Sequence, residues 1–157
     1  MSEDTRIGEG DTLPQIDIMR PDGTQVKPEH YHGKPLVLYF YPKGDTPGCT
    51  KEALQFTELR GEFDNLGAAI LGVSKDPPAK HVKFTDKYGL KIDLASDENE
   101  MAEALGIWVE KNMYGRKYMG LERTTYLVDG DGKIARVWRK VKVKEHAEAV
   151  LEAAKAL

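Results

Sequence analysis

The sequence predicts an α/β fold in which a mixed central sheet is flanked by helices and preceded by an N-terminal β-hairpin. Three observations carry this expectation. Two apolar β-prone runs, Leu36 to Tyr41 and Ala69 to Val73, enclose a helical stretch and make a βαβ unit. Two later β-prone runs meet at an Asp-Gly-Asp-Gly turn and make an antiparallel hairpin. An amphipathic stretch, Glu145 to Leu157, closes the chain as a helix.

Taken in order, Gln15 to Met19 alternates weakly, Pro21-Asp22-Gly23 is a turn signal, and Thr24 to Lys27 can return to form the N-terminal hairpin. Leu36-Val-Leu-Tyr-Phe-Tyr41 lacks polar alternation and lies between Pro35 and Pro42, as expected of a central strand buried on both faces. Pro42 to Gly48 is then a loop. Ala53, Phe56, Leu59 and Phe63 share one side of the helix that follows, which leads to the second buried strand. Val82 to Tyr88 and Glu98 to Leu105 read as inserted helices, and Thr124 to Val128 and Ile134 to Trp138 as the strands of the late hairpin. A calcium loop starting at Asp129 is excluded because its twelfth position is Lys140, where a bidentate Glu is required. This order of elements is that of a thioredoxin-like fold. No repeat and no linker-like stretch divides the chain, so residues 1–157 are expected to form one domain.

Composition narrows the function. A formal net charge of −3 gives no electrostatic footprint for nucleic acid, and the basic residues between Lys111 and Lys144 read as a solvated surface. The longest apolar run is far below the ~20 residues that span a bilayer. The opening residues MSEDTRIGEG are acidic rather than signal-like. A cytoplasmic protein with no membrane partner is therefore expected. The single cysteine, Cys49, excludes an internal disulfide, a C-x-x-C redox pair and a four-cysteine zinc site. His30, His32, His81 and His146 are scattered, with only a weak His-x-His pair at 30 and 32, so no metal is expected. No nicotinamide, flavin or haem motif is present, and no cofactor is expected.

Cys49 carries the chemistry. It follows Thr46-Pro47-Gly48 and falls in the first turn of the helix that leaves the buried strand, where proline is a start signal. A thiolate there meets unpaired backbone N–H groups and the positive end of the helix dipole, both of which favour the charged, nucleophilic form. The competing reading is a small buried core residue.

These residues resemble a known family. Pro42, Thr46 and Cys49 match the P-x-x-x-T-x-x-C signature of peroxiredoxins. Tyr39-Phe-Tyr-Pro-Lys-Gly-Asp-Thr-Pro-Gly-Cys-Thr-Lys-Glu-Ala53 is similar to the peroxiredoxin Q, or bacterioferritin comigratory protein, branch. The likeness continues through Gly72-Val-Ser74, Lys87-Tyr-Gly-Leu90, Met113 to Gly120 and Glu122 to Asp129. The resemblance implies an antioxidant, thiol-dependent peroxidase that reduces hydrogen peroxide and organic hydroperoxides through a Cys49 sulfenic acid. It also assigns roles. Thr46 and the backbone N–H groups at Gly48 and Cys49 would donate hydrogen bonds to the peroxide oxygens. Arg123 would hold the thiolate and polarise the peroxide. Pro42 would wall the pocket. Without the family, Thr46 is equally a helix cap, Arg123 an exposed residue before a strand, and Pro42 a strand terminator.

The chain departs from the branch at Leu54, where many members carry a resolving cysteine five residues after the first. At about 100° per residue Leu54 is expected roughly opposite the apolar stripe, on the outer helix face. The reductant must then be an external thiol: thioredoxin, glutaredoxin, glutathione or the Cys49 of a second subunit. A monomer or weak dimer is expected. The alternatives are another thiol transferase, or a non-catalytic redox sensor, on the same fold.

Overall fold

The computed structural model describes residues 6–157; Met1 to Thr5, part of the acidic opening stretch, lie outside the described residues. A seven-stranded mixed sheet forms the centre. Its strands are β1 (Ile18–Met19), β2 (Gln25–Val26), β3 (Leu36–Phe40), β4 (Ala69–Ser74), β5 (Asp93–Ser96), β8 (Thr124–Val128) and β9 (Ile134–Trp138), in the order β2-β1-β5-β4-β3-β8-β9. β3 pairs with β4 in parallel, Leu36 opposite Ala69 through Phe40 opposite Val73, and with β8 antiparallel, Leu36 opposite Val128 through Phe40 opposite Thr124. β6 (Trp108–Met113) and β7 (Arg116–Leu121) form a separate two-stranded ribbon.

β3 shows why an unbroken apolar run is a central strand. Successive side chains point to opposite faces. Val37, Tyr39 and Tyr41 join one apolar cluster, with Cys49, Ala53, Phe56 and Phe63 of helix α1 (Pro47–Asn65), Phe84 of α2 (Pro78–Tyr88) and Val150 and Leu151 of α4 (His146–Lys155). Leu36, Leu38 and Phe40 join the other cluster, with Met101 and Ala102 of the short helix α3 (Met101–Ala104), Leu105, Ile107 and Leu121. Both faces are covered, so alternation has no place in the sequence. Phe56 is fully buried and stacks on Tyr39 at 4.8 Å, fixing α1 across the sheet and with it the position of Cys49.

The late hairpin forms as expected. Asp129 accepts the N–H groups of Asp131 at 2.9 Å and Lys133 at 3.0 Å on one carboxylate oxygen, which closes the turn. The ribbon is a difference from the sequence reading, which placed no strand between Leu105 and Thr124. Met113 pairs with Arg116 across Tyr114-Gly115, both at positive φ, and that two-residue turn suits the twist of paired strands. β5 also lies outside the expected set. Among the described residues no helix is long and apolar enough to cross a membrane.

Candidate active site

Cys49 lies in the first turn of α1, and its side chain is 1% exposed. The site is built where the C-terminal end of β3 turns into that helix. Thr46 is the N-cap, in extended backbone, and the first helical bond runs from Thr50 N–H to the Thr46 carbonyl at 2.8 Å. The N–H groups of Gly48 and Cys49 therefore precede the hydrogen-bonded ladder and face outward at the helix start. Half-buried Pro42 lies just beyond the strand, after Tyr41.

Arg123 sits between β7 and β8, directly before the strand adjacent to β3, and that pairing carries it across to Cys49. Its guanidinium divides between two partners. Nη2 donates to Cys49 Sγ at 3.3 Å, and Nη1 donates to Glu52 Oε1 at 2.6 Å. Burial works against the Arg123 charge, but Glu52 and Cys49 more than restore it and raise its pKa. A Cβ at Gly48 would lie 3.2 Å from Nη2, so the glycine leaves the guanidinium room at the helix start.

The structure thus brings Cys49, Arg123 and Gly48 into one site, with Thr46 at the N-cap of the same helix. Thr46 does not cap the helix with its side chain; its hydroxyl donates to the Lys43 carbonyl at 2.8 Å. With its proton committed there, the Thr46 oxygen is left as a hydrogen-bond acceptor. Leu54 is half-buried and packs against the core cluster, so it flanks the apolar stripe instead of opposing it.

Two site residues escaped the sequence reading. Glu52 is fully buried, its Oε2 has no hydrogen-bond partner, and burial, against the pull of Arg123, raises its pKa to about 7. A signal existed: a glutamate three residues after Cys49 falls on the same helix face as the thiol, inside the apolar stripe. His146 lies beneath, sharing a hydrogen bond of 2.8 Å with Thr125 and packed edge-on to Phe56 and Trp138. Burial, then the Arg123 charge, lower its pKa to about 4. Lys111 corrects the picture of a wholly solvated basic surface. It is half-buried on the ribbon, its stem over Gly120, and burial followed by repulsion from Arg123 lowers its pKa.

A thiol at a helix start, facing an arginine on a thioredoxin-like sheet, defines a class, and similarity to known proteins agrees. The AhpC/TSA family matches residues 10–137, and the chain belongs to that family. It is similar to Peroxiredoxin Bcp of Bacillus subtilis (strain 168), 44% identical over 147 residues that cover 93% of this chain and 94% of the relative. Peroxiredoxin Bcp of Xanthomonas campestris is 49% identical over 135 residues, 85% of this chain and 84% of that one. Among solved structures, a cysteine-to-serine mutant of Xylella fastidiosa PrxQ superposes with a TM-score of 0.90 at 37% identity, covering 98% of both chains. A cysteine-to-serine mutant of Xanthomonas campestris Peroxiredoxin Q gives 0.84 at 47% identity, over 89% of this chain and 90% of that one. The protein is a thiol-dependent peroxidase with a thioredoxin-like fold. Within the family it falls in the peroxiredoxin Q/Bcp branch.

Proposed function

We propose that the whole chain acts as one peroxiredoxin domain of one-cysteine type, with Cys49 attacking hydrogen peroxide or an organic hydroperoxide and an external thiol completing the cycle. The observation that supports this most is the Arg123 Nη2 to Cys49 Sγ contact of 3.3 Å at the start of α1. The thiolate attacks the nearer peroxide oxygen in line with the O–O bond. An S–O bond forms, the O–O bond breaks, and the electron pair leaves on the farther oxygen, which takes a proton to depart as water or alcohol. Sulfur is oxidised to the sulfenic acid and the peroxide is reduced.

Negative charge spreads from sulfur over both oxygens along this path, so donors fixed beforehand are worth most at the transition state. In this reading Arg123 Nη2, which donates to Sγ, and the N–H groups of Gly48 and Cys49 donate to the peroxide, and the Thr46 oxygen, its proton given to Lys43, accepts the hydroperoxide proton and orients it. Pro42 screens the sulfur from water. Glu52 holds the other arm of Arg123, leaving Nη2 toward sulfur. A thiol then displaces water from the sulfenic acid to give a mixed disulfide, and a second thiol releases Cys49. Burial of Cys49 to 1% exposure disfavours a transferase that docks bulky disulfides on the closed site.

Peroxide consumption with hydrogen peroxide and cumene hydroperoxide, in separate reactions driven by glutathione, by glutaredoxin with glutathione and by thioredoxin, tests this. Turnover in at least one arm that vanishes in Cys49→Ser is expected. Turnover surviving that substitution contradicts it.

A further inference from the structure

The loop from Pro42 to Thr46 carries the Thr46 oxygen and sets the helix start, yet nothing in the site itself explains what holds it. Its attachments come from β4 and α2. Gly44 N–H donates to Asp76 Oδ2 at 2.7 Å, and Ser74 Oγ donates to the same oxygen at 3.0 Å. Gly44 has no side chain because the Phe84 ring fills that space; a Cβ there would lie 3.1 Å from Phe84 Cδ2.

Asp45, the residue before Thr46, is held harder still. Its backbone is left-handed at φ 62°, a conformation that non-glycine residues avoid unless their surroundings impose it. Lys87 Nζ donates to Asp45 Oδ2 at 2.8 Å, and the Tyr88 hydroxyl donates to Oδ1. These two bonds hold the Asp45 carboxyl below its usual range. Both donors come from the last turn of α2, where Tyr88 packs edge-on to Phe84 at 5.6 Å and Lys87 Nζ lies 5.3 Å over the Tyr88 ring. Two adjacent residues of one helix thus grip a strained residue next to Thr46.

We propose that Lys87 and Tyr88 are positioning residues for the Cys49 reaction, acting through Asp45 as a latch that keeps the Pro42–Thr46 loop in its peroxide-reacting form. The proposal rests on Cys49 being the peroxide-attacking residue. A peroxide is small enough to reach a sulfur 1% exposed, whereas a peptidyl thiol is not, so resolution requires the loop and first helical turn to open. α1 begins Pro47-Gly48 without a side-chain cap, so little within the helix resists that opening. The latch, made of exposed Asp45 and Lys87 and half-buried Tyr88, sets the balance. Releasing it acts on the two half-reactions in opposite directions, which a loss of general stability does not.

Quenched-flow mass spectrometry with hydrogen peroxide and glutathione reads the two steps separately in the full chain. In Tyr88→Phe, which keeps the ring but loses the hydroxyl, and in Lys87→Met, sulfenic acid formation should slow about fivefold while its capture by glutathione speeds up by a similar factor, the size expected for losing one charge-assisted bond. The urea midpoint should fall by no more than the loss of one such bond accounts for, while the two steps move in opposite directions. Asp45→Gly, which removes the carboxylate and relaxes the left-handed backbone, should give the same split and keeps the test open if another variant folds poorly. Unchanged rates for both steps, or both rates falling together with stability, would overturn the latch. A wild-type chain that forms no sulfenic acid would instead overturn the assignment of Cys49.

Discussion

Two buried groups beside Arg123 should impose opposite pH dependences on stability. Glu52 titrates at about 7 in the fold against an ordinary 4.5, so its contribution is fully present below pH 4.5 and is lost as pH rises through 7. His146 titrates at about 4 against an ordinary 6.5, so its contribution is present above pH 6.5 and is lost as pH falls through 4. With one pKa unit worth about 1.4 kcal/mol, each displacement corresponds to about 3 kcal/mol, opposite in sign across nearly the same window. They largely cancel in the native chain. His81, whose pKa is also lowered by burial, tips the balance toward a gentle rise in stability with pH. Glu52→Gln removes one side of this opposition and His146→Gln the other. Urea unfolding of the reduced protein from pH 4 to pH 8 should show a shallow wild-type curve. Glu52→Gln should rise by about 3 kcal/mol between pH 4 and 6.5, and His146→Gln should fall by a similar amount between pH 4.5 and 7. Variant curves running parallel to wild type would refute the reasoning, because neither group would then differ in proton affinity between folded and unfolded chains.

The remaining expectations concern Arg123. Gly48→Ala places a Cβ 3.2 Å from Nη2 and should push the guanidinium off Cys49, slowing sulfenic acid formation by on the order of 10²-fold, the effect of losing one fixed donor, with little change in the urea midpoint. Arg123→Ala should slow the same step and also destabilise the fold at pH 8 by about 3 kcal/mol or more, since Glu52 is left buried without its cation. Adding Glu52→Gln should return most of that stability and none of the rate. Recovery of rate in the double variant would show that Arg123 acts only as a counter-ion to Glu52.

The sequence made legible those features that local chemistry dictates. An apolar run between prolines is β3, and Asp129-Gly-Asp-Gly is a turn because the Asp129 carboxylate can satisfy the N–H groups that follow it. Thr46-Pro47-Gly48 is the start of α1, which puts the only cysteine at a helix N-terminus. Less visible were elements whose stability is set across the fold. β5 has only Leu94, Ala95 and Ser96 buried, too short a run to stand out, and it exists because β4 offers it a parallel edge. β6 and β7 expose mostly charged and polar residues, so no core pattern marks them, although Tyr114-Gly115 was a readable hairpin turn. Glu52 was hidden for the opposite reason. A glutamate on a helix is usually solvated, and only the tertiary approach of Arg123 makes a buried one tolerable. The Lys87-Tyr-Gly-Leu90 motif was likewise noticed without a task, because its partner Asp45 lies 42 residues before Lys87 and meets it only in the folded chain.

The most direct test of the central claim is a single turnover followed by intact mass. Reduced protein mixed with one equivalent of hydrogen peroxide, with no other thiol present, should consume it and gain about 16 Da at Cys49, with excess peroxide driving the mass upward in further oxygen steps. Glutathione added after the first step should convert the product to the mixed disulfide, and Cys49→Ser should leave peroxide unconsumed. A wild-type chain that stays at its reduced mass through repeated additions of peroxide would contradict the account.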